Sequence, residues 1–215
     1  MKTLIIDSQT NKPIGITDGL YWIKEAPSSI VDRMVIVNHY SHKATKNRFL
    51  SFIVCANEGF LQLGYGIRPH IKHTITSLIT VDNYCEFDRM WLSDKLPKLS
   101  ESRVIGLLLS YIKQIYPRIK FIITYADGSV GNHGTIYKAT NAIPIGKKKV
   151  DFYILPNGER IHPVSMWHRH KTRKLAVVSK IYPGIRHITD EFQYRFLYIL
   201  DKRLRKAFIR EKYQG

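Results

Sequence analysis

The sequence predicts a mixed α/β fold. Strand-like and helix-like segments alternate from residue 84 to residue 155, and one segment in their middle has clear helical spacing. A strongly basic C-terminal stretch adds the expectation of a terminal helix with a charged face. Residues 33–37, 49–56, 60–65, 84–92, 121–125 and 151–155 are strand candidates because each concentrates aromatic or β-branched residues. Residues 100–116 form the central helix candidate, since Val104, Leu107, Leu108, Tyr111, Ile112 and Ile115 recur on one side. Ser100 is expected to cap it, Glu101 suits the positive end of its dipole, and Pro117 stops it. A shorter helix is expected over 133–140. The final helix is expected from Thr189, with Asp190 and Glu191 in its first turn and Phe192, Phe196, Ile199, Leu200, Leu204 and Phe208 as its apolar stripe.

The 215 residues suffice for one substantial core, and 44% hydrophobic content excludes a globally disordered chain. No internal repeat, low-complexity tract or flexible linker divides the sequence. The expected organisation is therefore a catalytic domain over 1–158 with a basic extension over 159–215 packed on it. Lys plus Arg outnumber Asp plus Glu by 34 to 17, a formal charge of +17. From 159 to 215 fourteen Lys/Arg face five Asp/Glu, so nine of those charges sit in the extension. Such self-repulsion needs a polyanion, and a phosphate backbone is the commonest one. No apolar run approaches the roughly 20 residues of a bilayer span, and the N-terminus lacks a signal-peptide core. A cytoplasmic protein with no membrane partner is expected. Cys55 and Cys85 stand alone in apolar strand-like runs, which excludes a CxxC metal or redox motif and predicts buried free thiols.

Four stretches concentrate polar and aromatic residues beyond what a core requires. In Asn38-His39-Tyr40-Ser41-His42-Lys43, a histidine titrating near neutrality stands beside a ring able to donate a proton or stack on a base. In Leu63-Gly64-Tyr65-Gly66, paired glycines permit close backbone approach around a presented ring. The segment 86–92 alternates so that Phe87, Arg89 and Trp91 are expected on one face, with Glu101 or Asp127 as partners for Arg89. The fourth and strongest runs from Tyr125 to Asn141. There a strand ends in Asp127, a glycine-rich loop carries His133, and a helix start brings Tyr137 and Asn141 onto one face. His162, His168 and His170 stand among Arg and Lys, a setting that fits phosphate contact and opposes a divalent metal; His39, His42 and His133 are the alternative set that could converge on iron or zinc, a metal is not the favoured reading, and no metal ligand is assigned.

In this order, NHYSHK, LGYG, EFDRMWLSDKLPKLSESR, YADGSVGNHGTIYKATN with Gly146, and more loosely DFYILPNGERIHP, resemble the Mom family of bacteriophage DNA-modification proteins. The resemblance covers residues 30–165. It implies an acetyltransferase-like (GNAT) fold and conversion of adenine in phage DNA to a form carbamoylmethylated at the exocyclic amine, in the cytoplasm of the bacterial host, which protects the DNA from restriction. By motif position it implicates His39, Tyr40, Arg89, Ser102, Asp127 and Tyr137 in catalysis. Tyr65, Trp91, Glu101, His133 and Asn141 are then substrate-binding candidates. It also implies an acyl-CoA-like or other activated two-carbon donor. Acetyltransferases hold the coenzyme A pyrophosphate on a glycine-rich turn before the central helix, where this chain has Lys95-Leu96-Pro97-Lys98-Leu99-Ser100, so the donor stays open.

The expected partner is double-stranded DNA with its adenine flipped out of the stack, at a cost of a few kcal/mol. Asp127 or His39 is the expected base, Tyr137 and Arg89 the oxygen stabilisers, Ser102 a helix-start donor, and Tyr40, Tyr65 and Trp91 aromatic walls. Lys171, Arg173, Lys174, Lys202, Arg203, Arg205 and Lys206 are the expected phosphate contacts. Two rival readings are an N-acyltransferase acting on RNA, protein or a small amine, and a non-catalytic DNA-binding protein.

Overall fold

The computed structural model describes residues 1–65 and 74–213. By its contacts the chain forms two compact units. The first comprises Met1–Tyr125, Gly134–Ile145 and Arg195–Gly215, the second Ala126–His133 and Gly146–Tyr194. No helix among the described residues is long and apolar enough to cross a membrane.

The first unit is organised by a sheet whose strands run β1 (Thr3–Ile6), β2 (Pro13–Thr17), β3 (Trp22–Glu25), β4 (Arg48–Val54), β5 (Gly59–Tyr65), β6 (Tyr84–Leu92), β7 (Phe121–Asp127), β12 (Phe192–Ile199) and β8 (Ile143–Lys149) in spatial order. Pairing is antiparallel from β1 to β6, and β6 then pairs parallel with β7. The central helix α2 (Ser100–Ile115) forms as its periodicity predicts. It buries Val104, Ile105, Leu107, Leu108, Tyr111 and Ile112, and Tyr111 meets Phe52 edge to face at 5.5 Å. Helix α1 (Ser28–Asn38) lays Val31 and Val35 against Phe60, with Ile53 and Trp91 packed around them. Helix α3 (Thr135–Ala139) is a single short turn after β7. Helix α6 (Lys202–Tyr213) docks Leu204 and Phe208 on a core of Tyr84, Phe121, Ile123, Leu197 and Ile199.

Four local expectations are corrected. Residues 33–37 lie inside α1 rather than in a strand: Val31 and Val35, one turn apart, supply a helical apolar face that outweighs the β-branched content. The helix expected from Thr189 is β12 up to Ile199. Its residues 196–199 are all buried, the signature of an interior strand, and Asp201 caps α6 through the amides of Arg203 and Leu204. Ser100 is the first helical residue of α2, preceded by Leu99 in the left-handed region at φ 72°, so its hydroxyl meets Tyr21 and the Pro97 carbonyl instead of capping. Cys85 is buried in β6, but Cys55 begins the turn after β4, half-buried at φ 43°.

The second unit has its own three-stranded sheet, β10 (Arg160–Ile161), β9 (Phe152–Ile154) and β11 (Arg186–Ile188) in spatial order. Helices α4 (Pro163–His170) and α5 (Leu175–Ile181) complete it. Its core is Tyr153, Leu155, Ile161, Met166 and Val178, with Tyr182 and Ile185 against it.

Candidate active site where two parallel strands part

Strands β6 and β7 pair only from Tyr84/Phe121 to Phe87/Thr124, after which each runs on for several residues. The Thr124 hydroxyl closes the last pair by donating to the Phe87 carbonyl at 3.1 Å. On the other side of β6 the register with β5 slips at the same level, Leu63 facing Phe87 and Gln62 facing Arg89. Asp88 is the extra residue of this bulge. Because Leu63 and Gln62 point to opposite faces, so do Phe87 and Arg89. The expected sharing of one face by Phe87, Arg89 and Trp91 is therefore corrected: Arg89 and Trp91 face α1, and Phe87 faces the other way.

The bulge concentrates charge. A Cβ on Gly64 would lie 2.2 Å from an Asp88 carboxylate oxygen and 2.7 Å from the Asn47 carbonyl oxygen, so glycine lets the Asp88 side chain lie against the β5 backbone. Burial pushes the Asp88 carboxyl up to about 7; neighbouring Glu86 raises it further and Arg89 opposes. Arg89 donates to the Asp88 carbonyl at 2.8 Å, and its buried Nε has no partner among the described residues. A buried guanidinium nitrogen left unsatisfied is costly, and an incoming acceptor would relieve it.

His39 ends α1, 6% exposed, with its ring centroid 4.3 Å from that of Tyr40. Burial, then the nearby Arg89 guanidinium and the His42 ring, hold its imidazole down at about 4. The ring is thus neutral at physiological pH. Its Nδ1 accepts the Ser41 amide at 3.1 Å, which places the proton on Nε2 and makes that nitrogen a donor.

Tyr137 of α3 is 8% exposed, between Phe87 at 6.3 Å and Phe196 at 5.5 Å. Burial raises its phenol above the ordinary value, a hydrogen bond with Thr124 opposes, and Tyr40 and Arg89 lie within electrostatic range. Gly134 starts α3 at φ +76°, and a Cβ there would come within 2.2 Å of the Phe196 ring that supports Tyr137. The structure thus brings together His39, Tyr40, Arg89 and Tyr137. Asp88 and Thr124, which the sequence reading did not single out, belong to the same group.

The other candidates are placed differently. Ser102 and Glu101 lie in the first turn of α2, where the Ser102 hydroxyl donates to the Leu99 carbonyl at 2.9 Å. Trp91 stacks on Phe60 under α1. Tyr65 lies elsewhere, lining a cavity of about 380 Å³ with Phe49, Tyr84 and Tyr116. Gly66 of the same motif lies outside the described residues. Asn141 follows α3 and its carbonyl accepts from Arg205 at 3.4 Å. In the second unit, Asp127 is ion-paired to Arg160 at 2.8 Å while its other oxygen takes the Ser129 amide and hydroxyl at 3.0 and 2.5 Å. His133, also there, meets Tyr194 edge to face. Lys171, Arg173 and Lys174 occupy the turn between α4 and α5, and Arg205 and Lys206 lie on α6. Lys202 and Arg203 line a cleft of about 370 Å³ with Lys113 and Lys120, two cations that no sequence pattern distinguished. Among the described residues, no group of three or more His, Cys, Asp or Glu could hold a metal ion.

The fold is shared with known acetyltransferases. Spermidine N-acetyltransferase from Vibrio cholerae superposes with a TM-score of 0.50 at 8% identity, covering 88% of this chain and 99% of that one. NAA60 of Arabidopsis thaliana, in complex with acetyl-CoA, superposes with a TM-score of 0.52 at 8% identity over 83% of this chain and 98% of that one. In sequence, the methylcarbamoylase mom of Escherichia phage Mu is 32% identical over 179 residues, 80% of this chain and 73% of that protein. The profile of the Mom protein family matches residues 20–214, and the chain belongs to that family.

Proposed function

We propose that this protein transfers a carbamoylmethyl group to the exocyclic amine of adenine in DNA, and that the reaction occurs where β6 and β7 part. The relation to the Mu methylcarbamoylase carries the choice of reaction. The unsatisfied Nε of Arg89, beside a neutral His39, supports the choice of place.

An adenine amine is delocalised into its ring, so attack on carbon needs an activated donor, a proton acceptor and stabilisation of developing charge. In the proposed step the amine nitrogen bonds to the donor's methylene carbon as the bond to its leaving group breaks. One amine proton passes to the Asp88 carboxylate, whose value near neutrality suits that task. Arg89 Nε–H and His39 Nε2–H donate to the donor's amide oxygen, Tyr137 holds its hydroxyl among them, and half-exposed Tyr40 stacks on the flipped base. Asp127, with both oxygens engaged, is assigned a positioning role through Ser129 and Arg160. The step requires a donor of the form X–CH2–C(O)NH2, whose leaving group X departs from the methylene carbon with the bonding electron pair; an acyl-CoA thioester, activated at its carbonyl carbon, would give an amide instead. The segment before α2 has no glycine to form a pyrophosphate cradle, and the hydroxyls of Ser100 and Ser102 are not offered to one, since they turn back to the Pro97 and Leu99 carbonyls.

Plasmid DNA from cells expressing the protein tests this proposal. It should resist restriction enzymes whose sites contain adenine, and Arg89→Ala should restore cleavage while the protein remains folded. Cleavage of both DNAs alike contradicts the proposal, and mass gained by RNA or a protein instead supports the acyltransferase rival.

A further inference from the structure

Between β8 and β12 the chain departs for residues 150–191, and this excursion builds the separate sheet, helices and core of the second unit. Its surface is unusual. From His162 to Ile181 there are five Lys/Arg, three His and no Asp or Glu. Arg169 is answered by Glu159 at 3.2 Å, whereas Lys171, Arg173, Lys174 and Lys180 have no ion-pair partner among the described residues. On α4, Val164 and Trp167 are each 50% exposed, one turn apart, although tryptophan ordinarily spends its large apolar surface inside. Helical spacing sets both on the stripe that leads to Lys171.

The turn between the helices is pinned. Lys171 adopts the left-handed region at φ 56°, the Tyr153 hydroxyl donates to the Arg173 carbonyl at 2.5 Å, and His170 bonds Tyr182 at 2.9 Å. Tyr153 is itself fixed by stacking on His187 at 4.4 Å. A pinned turn that carries three exposed cations close in sequence to an exposed indole suits a nucleic-acid duplex, in which phosphates flank stacked bases. An apolar wedge between base steps unstacks them, and adjacent cations hold the phosphates of the deformed strand.

We infer that the second unit is a duplex-opening module. Lys171, Arg173 and Lys174 grip phosphates, and Trp167, backed by Val164, inserts between base pairs to free the adenine. The inference rests on the proposed reaction for its choice of DNA, and it adds the surface that overcomes stacking.

The test uses the full-length protein and two DNA substrates, one fully paired and one with the target adenine in an unpaired bubble. Opening costs a few kcal/mol only in the paired substrate. Trp167→Ala should therefore slow modification of paired DNA about tenfold or more, leave the bubble rate within about twofold, and be rescued by Trp167→Phe. The triple change Lys171→Ala, Arg173→Ala, Lys174→Ala should flatten the slope of log affinity against log salt by about 2 to 3 on paired DNA. Equal effects of Trp167→Ala on both substrates, or none on either, overturn the wedge. An unchanged salt slope overturns the grip, and loss of binding to anionic phosphatidylserine vesicles in its place assigns the surface to a membrane. If neither substrate is modified by the unaltered protein, the proposed reaction fails, while the salt slope still decides whether the module holds DNA.

Discussion

Acidification should expose two opposed buried groups. His39 is held down from 6.5 to about 4, so the folded chain binds fewer protons there than the unfolded chain. Its contribution is present above pH 6.5 and is lost as pH falls through 4. At about 1.4 kcal/mol per pH unit, the loss amounts to about 3 kcal/mol. Asp88 has the opposite sign. Its carboxyl is pushed up from 3.8 to about 7, so the folded chain takes the proton first, and the contribution, about 4 kcal/mol, is present below pH 3.8 and lost as pH rises through 7. The two nearly cancel between pH 7 and 4. Urea unfolding of the wild type, His39→Gln and Asp88→Asn at several pH values separates them. From pH 7 to pH 4, His39→Gln should gain about 3 kcal/mol relative to wild type, and Asp88→Asn should lose about 4 kcal/mol. Differences that stay constant within about 0.5 kcal/mol across that range would refute the burial argument for both groups.

Other perturbations have equally definite outcomes. Gly134→Ala drives a methyl into Phe196 at a positive φ, and should cost about 1–3 kcal/mol in urea unfolding while lowering turnover through Tyr137. Asp127→Ala leaves the Arg160 guanidinium stacked on Phe152 at 3.8 Å without its counter-charge; modification should be lost while salt-sensitive DNA retention persists. A double-mutant cycle with Arg160→Met should give a coupling of about 0.5–3 kcal/mol, and a zero coupling would remove Asp127's positioning role. Phe208→Ala should destabilise by about 3–5 kcal/mol, because that ring is fully buried where α6 docks.

The sequence made β6 and α2 legible because each obeys one rule without competition. Strand 84–92 is dense in aromatic residues, and 100–115 keeps its apolar positions on one helical face. Ambiguity arose where two readings coincide: Phe192, Phe196 and Ile199 satisfy a helical stripe, yet residues 196–199 are buried on both faces of the strand and carry no period of their own. In α1 the β-branched residues Val35, Ile36 and Val37 argued for a strand, and only packing on Phe60 settles the helix. Much of the site was readable as residue types, since His39, Tyr40, Arg89 and Tyr137 stand in polar, aromatic stretches. Its geometry was not. The bulge at Asp88 has no local signature, because it arises from register with β5, and it alone decides that Arg89 faces α1. Arg160 was equally hidden, since its pairing with Asp127 joins positions 33 residues apart.

The central claim, that adenine in DNA is the substrate, is tested most directly by mass spectrometry of nucleosides from DNA of cells carrying the wild-type protein or its Arg89→Ala form. The account predicts a deoxyadenosine heavier by one carbamoylmethyl group in the first sample and its absence from the second. Unmodified deoxyadenosine in both, with the wild-type protein folded and abundant, would contradict it.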